Sequence, residues 1–124
     1  MNKTQSFQEL DVWKAAHSFV LEVYKYSGLF PKSEIFGLVS QFRRAAVSIA
    51  ANIAEGYKRK SKIEKLRFYN ISQSSIEECQ YYIILSSDLK YINQEQSDKL
   101  NELIDSARKL LNNYYNSISN SIKQ

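Results

Sequence analysis

The chain has little of what builds most small secreted or membrane proteins. Its 124 residues include one cysteine (Cys79), one proline (Pro31), one histidine (His17) and three glycines. A lone cysteine cannot close an intramolecular disulfide, so nothing asks for an oxidising compartment. No apolar run reaches the roughly 18 residues that a membrane span needs. The opening Met1-Asn2-Lys3-Thr4-Gln5 lacks the apolar stretch of a signal peptide. So few glycines and prolines argue against a loop-rich β-sandwich and against a nucleotide-binding α/β fold. The expectation is a soluble, cytoplasmic, all-helical domain, long enough to bury a core without disulfide or metal staples.

What is present is unevenly distributed charge. Seventeen Lys and Arg oppose thirteen Asp and Glu, a formal net charge of +4. Between Arg43 and Arg67 stand eight basic residues: Arg43, Arg44, Lys58, Arg59, Lys60, Lys62, Lys65 and Arg67. Only Glu55 and Glu64 offset them, so this stretch carries +6 and the rest of the chain −2. A local excess of this kind suits phosphate contacts or another anionic surface; the plainer reading is a solvated turn and helix start.

Capping signals and apolar periodicity divide the chain into four predicted helices, approximately 11–27, 34–56, 62–89 and 94–119. The first carries Val12, Trp13, Ala16, Phe19, Val20, Val23 and Tyr24 on one face. Ser6-Phe7-Gln8-Glu9 has capping-box spacing, Asp11 is a second candidate cap, and Gly28 suits a left-handed C-terminal residue before Pro31. Ser33 is the expected cap of the second helix and Gly56 its expected terminator. Ser61-Lys62-Ile63-Glu64 is a clean capping box for the third, and Asn93-Gln94-Glu95-Gln96 a looser one for the fourth. Leu100, Ile104, Ala107, Leu111, Tyr114 and Ile118 then follow at helical spacing, with fraying expected from Ser119 to Gln124. Short connections between four such helices favour an up-down-up-down antiparallel bundle. Phe42, Ile49, Ile53, Ile76, Ile83, Ile104 and Leu111 are its predicted shared core.

Two helices carry more apolar surface than one seam needs. At about 100° per residue, the apolar residues of the second helix, from Ile35 to Ala54, spread over roughly 200°. The third has one apolar sector at Ile76, Cys79, Tyr82 and Ile83, and another at Tyr81, Ile84 and Leu85. Such excess predicts a homo-oligomer; tighter burial inside a single bundle is the alternative. The second helix also has a polar line, Gln41, Arg44, Ser48, Asn52 and Glu55, while Arg43 falls inside the apolar arc and needs a partner, with Glu55 and Glu78 as candidates.

Catalytic patterns are weak. His17 has no metal-ligand spacing around it, and Cys79 sits among apolar residues, the setting of a buried small hydrophobe. Adjacent Glu77 and Glu78 point about 100° apart on a helix, a poor geometry for shared acid–base work. The isolated glycines make no phosphate loop, and the Glu-x-x-His pattern of di-metal bundles is missing. Packing accounts for the nine tyrosines better than base stacking does. No enzyme activity, cofactor or metal is expected.

Two segments resemble a known family. Phe7-Gln8-Glu9-Leu10-Asp11-Val12-Trp13-Lys14-Ala15-Ala16 is similar to the opening motif of bacterial four-helix-bundle proteins encoded in intervening sequences of 23S ribosomal RNA genes. The stretch from Gly37 to Gly56, with Ser48, Asn52, Glu55 and Gly56, resembles that family's signature, although Ala51 stands where members usually carry serine. The resemblance covers roughly residues 6–118, including the basic turn and the Phe68-Tyr69 pair. It implies a homopentameric barrel of bundles with a basic surface or channel. It also implies kinship with the accessory variability proteins of diversity-generating retroelements, which bind nucleic acid and a reverse transcriptase. It implies no defined catalytic activity. Three readings follow: an oligomeric scaffold binding RNA or DNA phosphates, a subunit whose partner is a reverse transcriptase or ribosomal component, and a small catalytic bundle, which lacks its ligands.

Overall fold

Two helix starts follow their sequence signals closely. Ser61 Oγ accepts the Glu64 N–H at 3.3 Å. Asn93 and Gln96 satisfy each other, Asn93 Oδ1 taking the Gln96 N–H at 2.8 Å and Gln96 Oε1 the Asn93 N–H at 2.9 Å. The computed structural model describes residues 6–122. Within them run helices α1 (Asp11–Ser27), α2 (Leu38–Lys58), α3 (Lys62–Asp88) and α4 (Gln94–Ile122), with 3-10 turns at Phe7–Glu9 and Lys32–Glu34 and no strand among the described residues. None of these helices is long and apolar enough to cross a membrane.

Other boundaries depart from expectation for identifiable reasons. Ser6 Oγ accepts the Gln8 N–H at 3.1 Å, so the first capping signal opens the 3-10 turn, and α1 starts separately at Asp11. Ser33 does not cap α2. The chain makes its second 3-10 turn there, and α2 begins at Leu38, whose N–H is taken at 3.1 Å by Glu34 Oε1. The Tyr91 hydroxyl, from the α3–α4 connection, donates to the other Glu34 oxygen at 2.9 Å and fixes this cap. Gly37 makes room for it, since a Cβ there would stand 2.7 Å from Glu34 Oε1. Gly28 is right-handed, with φ −63°; the left-handed residue is Lys90, φ 63°, after α3. There the Lys90 and Tyr91 N–H groups turn back onto the Ser87 and Ser86 carbonyls at 3.0 and 2.9 Å, a Schellman closure. The helix α4 also outruns its expected end, staying helical to Ile122; the rest of the expected frayed end, beyond residue 122, lies outside the described residues.

Consecutive helices pack side by side, α4 closes back on α1, and the backbones of the diagonal pairs do not approach each other among the described residues. Cross-helix partners run in opposite directions throughout. Ser72 meets Ile49 while Lys65 meets Gly56, and Gln73 meets Asn112 while Gln80 meets Asn101. Trp13 lies beside Ala54 and Tyr24 beside Arg43; Val12 lies beside Leu110 and Tyr26 beside Glu95. The architecture is therefore an antiparallel up-down-up-down four-helix bundle. All seven predicted core residues are buried in one cluster with Phe19, Tyr69, Leu100 and others. Ile35, expected on α2, lies outside the helix and half exposed.

Gly56 does not end α2, which continues to Lys58. It is buried where α3 approaches closely: a Cβ would fall 2.4 Å from Tyr69 Cε1. That ring has nowhere to go, being fully buried and 5.3 Å from the Tyr114 ring. Gly56→Ala gains about 1 kcal/mol of helix propensity but overpacks a closed site at about 1–3 kcal/mol. The expected net result is a destabilisation of up to about 2 kcal/mol, read as a lower denaturant midpoint.

Candidate nucleic-acid interface

The α2–α3 turn, Arg59 to Ser61, gathers most of the basic segment at one end of the bundle. Lys58 ends α2, Lys60 is in the turn, Lys62 opens α3 and Arg67 follows just over a turn later; all four are exposed. None of them has a bonded partner among the described residues. The four charges are therefore free to meet an anion.

The other four basic residues are occupied or elsewhere. Arg59 Nη2 pairs with Glu55 Oε2 at 2.6 Å, and its guanidinium lies 4.9 Å from the Phe68 ring centre. Lys65 Nζ donates to the Gly56 and Tyr57 carbonyls at 3.1 and 2.7 Å, closing the C-terminus of α2. Burial lowers the Lys65 pKa below its ordinary value. Arg44 is exposed but far away, about 20 Å up α2 at the standard rise. Arg43 turns toward α1: Nε donates to Ser27 Oγ at 2.8 Å and Nη2 to the Tyr24 carbonyl at 3.2 Å, with the guanidinium 4.5 Å from the Tyr24 ring centre. Neither expected carboxylate partners it, because Glu55 holds Arg59 and Glu78 accepts from the Tyr82 hydroxyl at 2.9 Å. Arg43 thus neutralises the carbonyl end of α1. The helix start contributes less than its position promises, since Ser61 already takes one first-turn donor.

The polar line of α2 stitches the bundle together. Asn52 Nδ2 donates to the Ser48 carbonyl and hydroxyl at 2.8 and 3.0 Å, and the Ser75 hydroxyl reaches Ser48 Oγ at 2.8 Å. Ser48 thereby ties α2 to α3 through Ser75, with Asn52 bracing it from within α2, while the Gly56 carbonyl takes Lys65 and Glu55 fixes Arg59. On α3, Tyr81 and Ile84 are exposed and Leu85 half-buried. The Tyr82 pKa is pushed up to about 12 by burial and by its hydrogen bond to Glu78.

Of the residues weighed for catalysis, Cys79 is fully buried, and burial raises its thiol pKa well above the usual range. His17 is stacked on Trp13 at 4.8 Å. No group of three His, Cys, Asp or Glu residues among the described residues could hold a metal ion.

A groove of about 920 Å³ between the end of α1 and the start of α2 had escaped the sequence reading. Tyr24, Phe30, Ile35, Phe36, Val39 and Val47 line it, and Phe36 is 95% exposed. The Ile35-Phe36 pair just before Gly37 was the available signal.

Among solved structures, the bundle is similar to a protein of unknown function from the S23 ribosomal protein family of Bacteroides thetaiotaomicron. The TM-score is 0.77 at 25% identity, over 85% of this chain and 95% of that one. No curated protein matches. The family profile of the 23S rRNA-intervening sequence proteins matches residues 8–113. That match spans all but the first residue of the opening motif, the whole second motif, the basic turn and the greater part of all four helices, and the chain belongs to the 23S rRNA-intervening sequence protein family.

Proposed function

We propose that the protein is a non-enzymatic, cytoplasmic, homo-oligomeric scaffold that binds RNA or DNA phosphates through the α2–α3 end of its bundle. The observation that carries this reading is the set of exposed, unpartnered cations Lys58, Lys60, Lys62 and Arg67 around one turn. Phosphate contacts from lysines give affinity without base readout. In an oligomer, a pentamer by family resemblance, the same turn is repeated, so weak contacts add through multivalency.

A second reading has its own observation. The apolar groove beside Phe36 could serve a protein partner, a reverse transcriptase or ribosomal component, with the basic turn serving only solubility. One experiment separates them. Fluorescence anisotropy with a structured RNA and a DNA duplex should show binding whose log affinity falls with log salt at a slope near −3 to −4, for about four phosphate contacts. Light scattering coupled to gel filtration should give several times 14.4 kDa. No binding at low salt would leave the protein-partner reading; a concentration-independent monomer would remove the scaffold.

A further inference from the structure

We infer that the α1–α2 groove is a binding site for a small amphipathic carboxylate, a medium-chain fatty acid, with Arg43 holding the head group and the apolar wall covering the chain. The inference goes beyond the proposed function and does not depend on it, since the basic turn stands at the other end of α2. The groove has the size of a small-molecule site: its volume of about 920 Å³ falls within the range of ligand pockets. Val39 and Val47 both line it, so it follows α2 for about 12 Å, the length of such a chain. Phe30, Ile35 and Phe36 complete an apolar wall. Phe36 is 95% exposed, surface that a hydrocarbon chain would take out of water.

Charge sets the head group. Lys32, Arg43 and Arg44 line the groove, and among the described residues no carboxylate does. Glu34 stands close in sequence but is occupied, its two oxygens taking the Leu38 N–H and the Tyr91 hydroxyl. Arg44 also borders the hollow that contains Glu78, so its charge is shared with that carboxylate. Arg43 is the better anchor because it is already held. Its bonds to Ser27 Oγ and the Tyr24 carbonyl use two of the five guanidinium N–H donors. Both N–H groups of Nη1 are without a partner among the described residues. A guanidinium fixed on one edge, with donors left over, loses little freedom when it meets a carboxylate, and the pair forms charge-assisted hydrogen bonds. An apolar groove with an oriented cation in its lining therefore favours an anion that carries an apolar chain.

Calorimetric titration of the full chain with octanoate, 1-octanol and butanoate tests this. Octanoate should bind saturably, and octanol at least about tenfold more weakly, because it lacks the charge that Arg43 recognises. An apolar site without that cation would show the reverse order, since an unpaired carboxylate is costly to bury. Butanoate has the same head group on a shorter chain and should also bind at least about tenfold more weakly, which separates the groove from simple ion pairing at the exposed lysines. Arg43→Gln should abolish the preference for octanoate over octanol. Phe36→Asp with Val47→Asp, both exposed and lining the groove, should abolish octanoate binding by setting like charge against the head group. The inference is overturned if the parent shows no saturable octanoate binding, or if octanol or butanoate binds as tightly as octanoate. It is equally overturned if Arg43→Gln keeps the preference. Circular dichroism checks each variant. If Arg43→Gln loses helicity, the aspartate pair decides in its place, and octanoate binding equal to the parent's then overturns the inference.

Discussion

Leu111→Ala should cost about 2–5 kcal/mol of folding stability, read as a lower denaturant midpoint at unchanged slope. Leu111 is completely buried on the inner face of α4. Its helix is pinned on both sides: Gln73 on α3 donates to Asn112 at 3.1 Å, and Arg108 Nε pairs with Glu77 at 3.1 Å. On the other side Leu110 and Tyr114 pack beside Leu10 and Val12. Helices tied in this way cannot collapse into the vacated space, so the lost transfer energy is joined by a cavity term of about 24 cal/mol per Å³. The same truncation at Leu29, which is 77% exposed, should stay within about 0.5 kcal/mol. Both variants need comparison at one protomer concentration, because assembly raises apparent stability by mass action. Leu111 is completely buried and lines none of the apolar surface hollows described, so the oligomeric mass should not change. A loss below about 1 kcal/mol would mean that α4 is not closed against its neighbours as described.

The features legible in the sequence were local or periodic ones. Ser61 and Asn93 cap groups a few residues away, and the seven core positions obey a single helical period, so neither needed knowledge of the other helices. Side chains whose partners lie on another element were not legible. Arg43 was matched to carboxylates, yet its partners are a hydroxyl and a carbonyl at the end of α1, brought near only by bundle packing. Gly56 was read as a helix terminator because glycine so often ends helices; its actual role is to admit the Tyr69 ring, which no local pattern encodes. The start of α2 failed for the same reason. Its cap depends on Glu34 being held by Tyr91, far along the chain. The basic segment was visible as composition, but composition cannot show that Arg59 and Lys65 are spent on Glu55 and on backbone carbonyls. The free charge at the turn is smaller than the count of basic residues implied, and it is better placed.

That difference decides how the nucleic-acid reading is best challenged. Changing Lys58, Lys60, Lys62 and Arg67 to glutamate should abolish binding while leaving helicity and oligomeric mass unchanged. The four substitutions take the formal net charge from +4 to −4 per chain and replace attraction to phosphate by repulsion. If about four counterions are released per subunit, losing those contacts removes the whole salt-dependent part of the affinity, a fall of at least about a hundredfold at low salt. Arg59 and Lys65 must be left intact. Reversing Arg59 would set a carboxylate against Glu55, and reversing Lys65 would place one against the Gly56 and Tyr57 carbonyls, so lost binding could then be mistaken for a distorted turn. The four chosen side chains are exposed and unbonded, so their reversal tests charge alone. They also lie at the opposite end of α2 from Phe36 and the groove, so the surface of the protein-partner reading is left intact. Glutamine at the same four positions should give an intermediate loss and a shallower salt slope, because neutralisation removes counterion release without adding repulsion. If the glutamate variant binds as tightly as the parent, phosphate recognition does not occur at this turn, and the groove becomes the surface through which the protein acts.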